Sequence, residues 1–256
     1  MIKFFRKIRQ RLLTENKFSK YLLYALGEIL LVVIGILIAL QINNWNEQRK
    51  AENEEREILK KLQLNLRDDV KILEYQLDFK KSMIDSYKQC LDILSEKTVS
   101  TKEEFMRHFS SILQVGAVKL NMTTFNNLQT TGEIRLITSD ELADNIVSYY
   151  NTDYLLWQSA LEDYTRNITA PFVLQYDYIP QISFNDSQGN QIAMYGQPED
   201  FKKPERTLDD YKNNYFIINT LRQKKYNLDA LMPRYEELLK SALKLDKNIQ
   251  AYLESK

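Results

Sequence analysis

The sequence predicts a mainly α protein: an N-terminal transmembrane helix continuing into a long helix and an antiparallel helical bundle, with a small β-hairpin/loop insertion. Three observations carry this. Residues 21–42 form an apolar run long enough to cross a bilayer, apolar residues downstream recur at steps of three, four and seven, and four of the five prolines gather in residues 171–207. The first period is that of a membrane span, the second that of helices burying one face, and the third marks an irregular insertion.

The run lies in KYLLYALGEILLVVIGILIALQINNW, Lys20 to Trp45. Its 22 residues from Tyr21 to Ile42 would cover about 33 Å as a helix, against a hydrocarbon core of roughly 30 Å. The uninterrupted part, Ile29 to Leu40, is only 12 residues and by itself fits a signal-peptide core. Its exit through Gln41, Ile42, Asn43, Asn44 and Trp45 has no pair of small residues, so an uncleaved signal anchor is expected.

Charge orients this span. Lys3, Arg6, Lys7, Arg9, Arg11, Lys17 and Lys20 stand against Glu15 in residues 1–20, a basic arm that the positive-inside rule places in the cytoplasm. Residues 43–256 are then extracytoplasmic, in the periplasm of a cell whose inner membrane holds the span. The net zero of the chain is a sum of unlike parts, +5 over residues 1–42 and −5 over the rest. Met1, Ile2, Phe4, Phe5, Ile8, Leu12 and Leu13 interleave with the cations, so the arm either lies flat on an anionic leaflet or serves as a topology signal alone.

Glu28 stands about 10 Å into the run, where a charged carboxylate costs roughly 1–3 kcal/mol unless paired or protonated. Either it snorkels to the cytoplasmic headgroups, or it meets a donor on another membrane subunit across a small face made by Gly27, Gly35 and Ala39. Those residues and Trp45 are the candidate membrane or partner contacts.

Beyond the membrane, residues 46–57 are almost wholly polar. Leu59, Leu62, Leu66, Val70, Leu73, Leu77, Ile84, Tyr87, Leu91 and Leu94 then mark a helix seam, expected to run to Lys97 as a free stalk or one strut of a bundle. A second helix opens at a capping box, Thr101 with Glu104, carries Phe105, Phe109 and Leu113, and stops by Gly116. Between Thr123 and Leu142 the pattern predicts a short helix, a stop at Gly132, an extended run from Glu133 to Ile137 and a new capping box, Thr138 with Glu141. One helix then carries Leu142, Ile146, Tyr150, Trp157, Leu161, Tyr164 and Ile168 to an end or kink at Pro171.

In residues 171–207 two short apolar runs flank a polar turn at Asn185 to Asn190, read as an exposed hairpin and the leading candidate for a contact surface. Leu208, Tyr211, Tyr215 and Ile218 mark a further helix. The last shows Leu228, Leu231, Tyr235, Leu238, Ala242, Leu245, Ile249 and Tyr252, with Pro233 limiting its start. Antiparallel packing of this helix on the long one makes a bundle; pairing of either seam with a second copy would make a coiled-coil dimer instead.

Chemistry finds little foothold. His108 is the only histidine, and the acidic neighbours Asp68 and Asp69, and Asp209 and Asp210, point about 100° apart on a helix and read as solvated faces. Glycine-rich phosphate loops and Cys or His clusters are missing, so no cofactor, no metal and no catalytic residue is expected, and the protein is read as a non-enzyme. Cys90, the single cysteine, has no partner for an internal disulfide and reads as a small buried hydrophobe. The only basic cluster is juxtamembrane, which speaks against nucleic acid. Tyr150, Tyr154 and Trp157, with Phe184 and Tyr195 of the insertion, form the candidate binding surface; core packing is the competing reading of the aromatic set.

MIKFFRKIRQRLLTENKFSKYLLYALGEILLVVIGILIALQINNWNE, Met1 to Glu47, and FNNLQTTGEIRLITSDELADNIVSYYN, Phe125 to Asn151, resemble two recurring blocks of a family of uncharacterised single-pass membrane proteins from Bacteroidota, a domain of unknown function. The resemblance implies taxon, topology and location, and assigns no activity. The expected function is a membrane-anchored periplasmic scaffold or accessory subunit, contacting the lipid bilayer and another membrane or envelope protein, or a second copy of itself. The alternative is a periplasmic ligand-sensing module signalling through a membrane partner, since about 20 cytoplasmic residues are too few for an output domain.

Overall fold

The computed structural model describes residues 18–177, 183–185, 191–194 and 206–256. The chain divides into two units, Met1–Arg56 and Glu57–Lys256. A single helix, α1 (Phe18–Leu94), supplies residues to both.

In the first unit every apolar side chain from Ile29 to Ile42 is exposed; Leu31 is 73% open and Val33, the least, 45%. This stretch is a candidate membrane span by length and composition. Past it, Asn43 donates to Glu47 and Gln48 to Glu52, each at 3.0 Å and one turn apart, which suits a helix surface in water.

The second unit is a helical bundle. After α1 come α2 (Lys102–Phe109), α3 (Thr123–Thr131), α4 (Asp140–Tyr150), α5 (Leu155–Tyr164), α6 (Ala170–Tyr176), α7 (Leu208–Lys212) and α8 (Tyr215–Ser255). The order of contacts shows that α1 and α8 run antiparallel. Gln63 donates to Asp246 at 3.1 Å and to Gln250 at 3.2 Å, whereas Lys224, near the other end of α8, lies 5.8 Å from the ring centre of Tyr87. Leu59, Leu62, Leu66, Leu73, Leu77 and Tyr87 of the seam are buried, facing Leu228, Leu231, Tyr235, Leu238, Ala242, Leu245 and Ile249. Residues 57–94 are therefore a strut of the bundle.

Helix ends follow local chemistry. α1 stops at Leu94, three residues before the expected Lys97, because Glu96 takes φ 59° and the Glu96 and Lys97 N–H groups turn back to the carbonyls of Ile93 and Asp92. The Thr101 and Glu104 capping box forms as expected. The expected box at Thr138 does not: Ser139 is the cap, accepting from the Leu142 N–H at 3.3 Å, while the Thr138 hydroxyl is 2.7 Å from that of Tyr252. Nor is 133–137 an extended run. Gly132, at φ 72°, reverses the chain into a single 3-10 turn, Glu133–Leu136, closed by the Ile137 N–H on Ile134.

Two further helices differ from expectation. The pattern from Leu142 to Ile168 is not one helix, since Asn151, Thr152 and Asp153 interrupt it and Thr152 turns its hydroxyl back onto the Ser148 carbonyl. Farther on, a π-helical turn, Thr165–Thr169, widens the backbone just before Pro171, so that the proline enters the first turn of α6 without a break. At the C-terminus, Tyr215 and Ile218 belong to the last helix and not to that of Leu208 and Tyr211. Asn214 caps α8 by accepting from the Phe216 and Ile217 N–H groups, and the helix runs unbroken through Pro233. That proline is exposed, as is Asp229 one turn before it, and buried Leu228, Leu231, Met232 and Tyr235 hold the turns about it.

Within 171–207, β1 (Ser183–Asn185) pairs antiparallel with β2 (Gln191–Met194), with a register irregularity between Phe184 and Asn185. The turn between them, Tyr195 and the side chain of Phe184 lie outside the described residues, as does the arm up to residue 17.

Candidate functional site

Between the 3-10 turn Ser110–Leu113 and α3, residues 114–122 form an irregular strap, and Val118 and Leu120 in it are buried. A buried segment without regular structure must find partners for its backbone elsewhere. They come from side chains on three helices, α1, α5 and α8. Lys224 on α8 donates to the carbonyls of Ile112 and Gln114, and Lys80 on α1 to those of Val115 and Gly116. The Val118 N–H donates to Gln158 of α5 at 3.0 Å and to the Tyr235 hydroxyl of α8 at 3.4 Å, and Tyr235 itself donates to Gln158. The Asn121 N–H donates to Asp69 at 2.6 Å, and Asn65 donates to the Asn121 carbonyl at 2.9 Å. Tyr149 of α4 completes the set, its hydroxyl donating to the second Asp69 oxygen at 3.0 Å.

Asp69, Lys80 and Lys224 are fully buried. Burial pulls both ammonium groups down to about 7; the charge of Glu162 works against this at Lys80, and the charge of Lys80 adds to it at Lys224. Burial also raises Asp69 to about 6, although the Asn121 N–H and the Tyr149 hydroxyl both favour its charged form. Desolvation thus outweighs two good hydrogen bonds. Asp69→Asn keeps an acceptor for the Asn121 N–H and removes the charge. It is expected to stabilise the protein by about 1–3 kcal/mol at pH 8 and to change nothing at pH 4, read from thermal melts at the two values; a lower midpoint at pH 8 would show that the carboxylate's charge is needed for the fold.

Chemically, these groups hold backbone. Each ammonium spends its protons on two carbonyls, and the carboxylate faces an amide and a phenol. Cys90 is buried as expected, its thiol pushed far up by desolvation. His108 is half-exposed, and among the described residues no group of three or more His, Cys, Asp or Glu is placed to hold a metal.

The residues singled out in the sequence fall in different places. Gly27, Gly35, Ala39 and Trp45 are exposed on α1, with nothing within 4 Å of a Cβ built on either glycine, and Glu28 is half-exposed. Tyr150 and Tyr154 are core residues and offer no surface: Tyr150 stacks on Phe125 at 4.6 Å and Tyr154 meets Tyr235 edge-on at 6.5 Å. Burying two large rings is worth more to the bundle than exposing them. Of the three whose side chains are described, Trp157 alone reaches the surface, half-buried and edge-on to exposed Tyr226. Asp69 corrects another expectation, since only its neighbour Asp68 is on a solvated face.

Lys80, Lys224, Gln158 and Asn65 carried no expectation. A signal existed for two of them. Lys80 stands three residues after Leu77 and four before Ile84, and Lys224 three after Leu221 and four before Leu228, which are core positions on helices otherwise read correctly.

Residues 28–168 match a family of unknown function (DUF6090), more than half of the 256 residues. No curated protein and no solved structure matches the chain.

Proposed function

Since the chain belongs to DUF6090, a family of unknown function, we propose that the protein is a membrane-anchored helical scaffold or accessory subunit of a bacterial envelope complex, without catalysis of its own. In this reading α1 crosses the inner membrane once, the basic arm of residues 1–20 stays in the cytoplasm, and the bundle stands in the periplasm. The observation that carries it is the exposure of every large apolar side chain from Ile29 to Ile42, a surface of the kind that lipid or another membrane helix covers. The bundle supports it too, because its buried Asp69, Lys80 and Lys224 are spent on the strap.

A C-terminal tag at native expression, extraction in mild detergent and identification of what co-purifies tests the reading. A membrane or envelope protein in stoichiometric amount, reduced by Glu28→Leu, is the expected result. Recovery of the tagged chain alone, as a monomer, would overturn it.

A further inference from the structure

A cleft of about 140 Å³ lies between α4 and α8. Buried Tyr149 and Leu245 contribute to its lining. Asn145, Ser148 and Thr152 line one wall, and Ser241, Lys244 and Asn248 the other. Each wall repeats at three- and four-residue steps, so two polar stripes face each other where packed helices ordinarily interdigitate apolar side chains. The apolar contacts of the two helices continue behind them, through buried Ile146, Ala242 and Ile249.

We propose that this cleft binds a small hydroxylated carboxylate. Lys244 is the only charged group in the lining, and it gives the site a single positive charge. The nearest acidic neighbour on α8, Asp246, is turned away to Gln63 and Arg67. Two amides and three hydroxyls surround that ammonium, a set suited to hydroxyl groups, each of which donates once and accepts twice. Of these, only the Thr152 hydroxyl is engaged, by the Ser148 carbonyl; the side chains of Asn145, Ser148, Ser241 and Asn248 hold no hydrogen bond to another described residue. Tyr149 adds no polar recognition, because Asp69 already takes its hydroxyl, and so presents only its ring to the carbon skeleton. A cleft of about 140 Å³ that opens to solvent leaves room for an acid of three to six carbons.

This inference goes beyond the scaffold reading and is tested separately from it, on the purified full-length protein in detergent rather than by what co-purifies. Calorimetric titration with D-glycerate, D-gluconate and glycerol is the first measurement. Saturable binding of at least one of the acids, with glycerol at least about tenfold weaker, is expected from the single charged contact. Lys244→Met, at an exposed position that leaves the core intact, is expected to weaken the acid about tenfold and to leave glycerol unchanged. Asn248→Leu, which fills the cleft, is expected to abolish binding of both. Absence of saturation by either acid, or binding unaltered in both variants, would overturn the proposal.

Discussion

Thermal unfolding of the purified protein is expected to give its lowest midpoint between about pH 6 and about 7, with stability rising on both sides. Most proteins show the reverse, a maximum somewhere between pH 5 and 8. The inversion comes from three buried groups, Asp69, Lys80 and Lys224, at each of which desolvation outweighs the favourable partners. Lys80 and Lys224 are lowered from 10.5 to about 7, so above that point the unfolded chain holds protons that the folded chain has released, and stability increases with pH. The gain is on the order of 7 kcal/mol by pH 9.5, since each of the two groups contributes about 1.4 kcal/mol per pH unit over about 2.5 units. Asp69 is raised from 3.8 to about 6, so between those values the folded chain holds the extra proton, and stability increases as pH falls, by at most about 3 kcal/mol. Other groups close both arms. Carboxylates lowered by helix caps, such as Glu104 and Asp210, lose their contribution below about pH 4, and tyrosines raised by burial, such as Tyr149 and Tyr235, oppose folding above about pH 10. Asp69→Asn should flatten the acid arm alone, and Lys80→Met should reduce the alkaline arm alone. A single maximum near neutrality in the unaltered protein would show that these three groups reach water.

Gly116→Ala is expected to destabilise the protein by about 2–4 kcal/mol, well beyond the ordinary cost of a side chain at positive φ. Gly116 has φ 59°, and a Cβ there would lie 2.6 Å from the Gln76 amide oxygen and 2.8 Å from the Phe79 ring. Gln76 is buried, Phe79 half-buried and stacked parallel to Tyr75, so neither yields freely. A shift of the strap instead would draw the Gly116 carbonyl off Lys80. Gly132→Ala is the matched control, with φ 72° and nothing within 4 Å, and should cost only about 1 kcal/mol of backbone strain. Denaturant melts of the two variants decide the matter; equal losses would mean that the strap moves aside at no cost.

The bundle was legible because its signal is local and periodic. Leu59, Leu62, Leu66 and Leu73 on one helix, and Leu228, Leu231, Tyr235 and Leu238 on the other, name their buried faces by spacing alone. The strap was not legible, for two physical reasons. Lys80 and Lys224 occupy slots in those same periods, but a polar residue type hides a core position from any reading keyed to apolar side chains. What makes their burial tolerable, moreover, is a set of carbonyls 35 and 112 residues away in sequence, which no spacing rule connects to them. The aromatic set failed in the opposite sense. Tyr150 and Tyr154 have the composition of an interface, and what decides their place is the helix break at Asn151 to Asp153, which the unbroken pattern around it concealed.

The strap also dictates an order of events. Its partners are spread from Asn65 to Tyr235, and those on α8 are made last during synthesis. Until Lys224 and Tyr235 arrive, the carbonyls of Ile112 and Gln114 and part of the bonding at Val118 have only water for company, and Val118 and Leu120 have no closed core to enter. A chain made from its N-terminus would therefore wait, its first helices formed but its centre open, until nearly the whole polypeptide has emerged. The final helix then acts as the latch of the assembly, and chains interrupted before it are left as substrates for proteolysis rather than as smaller folded domains.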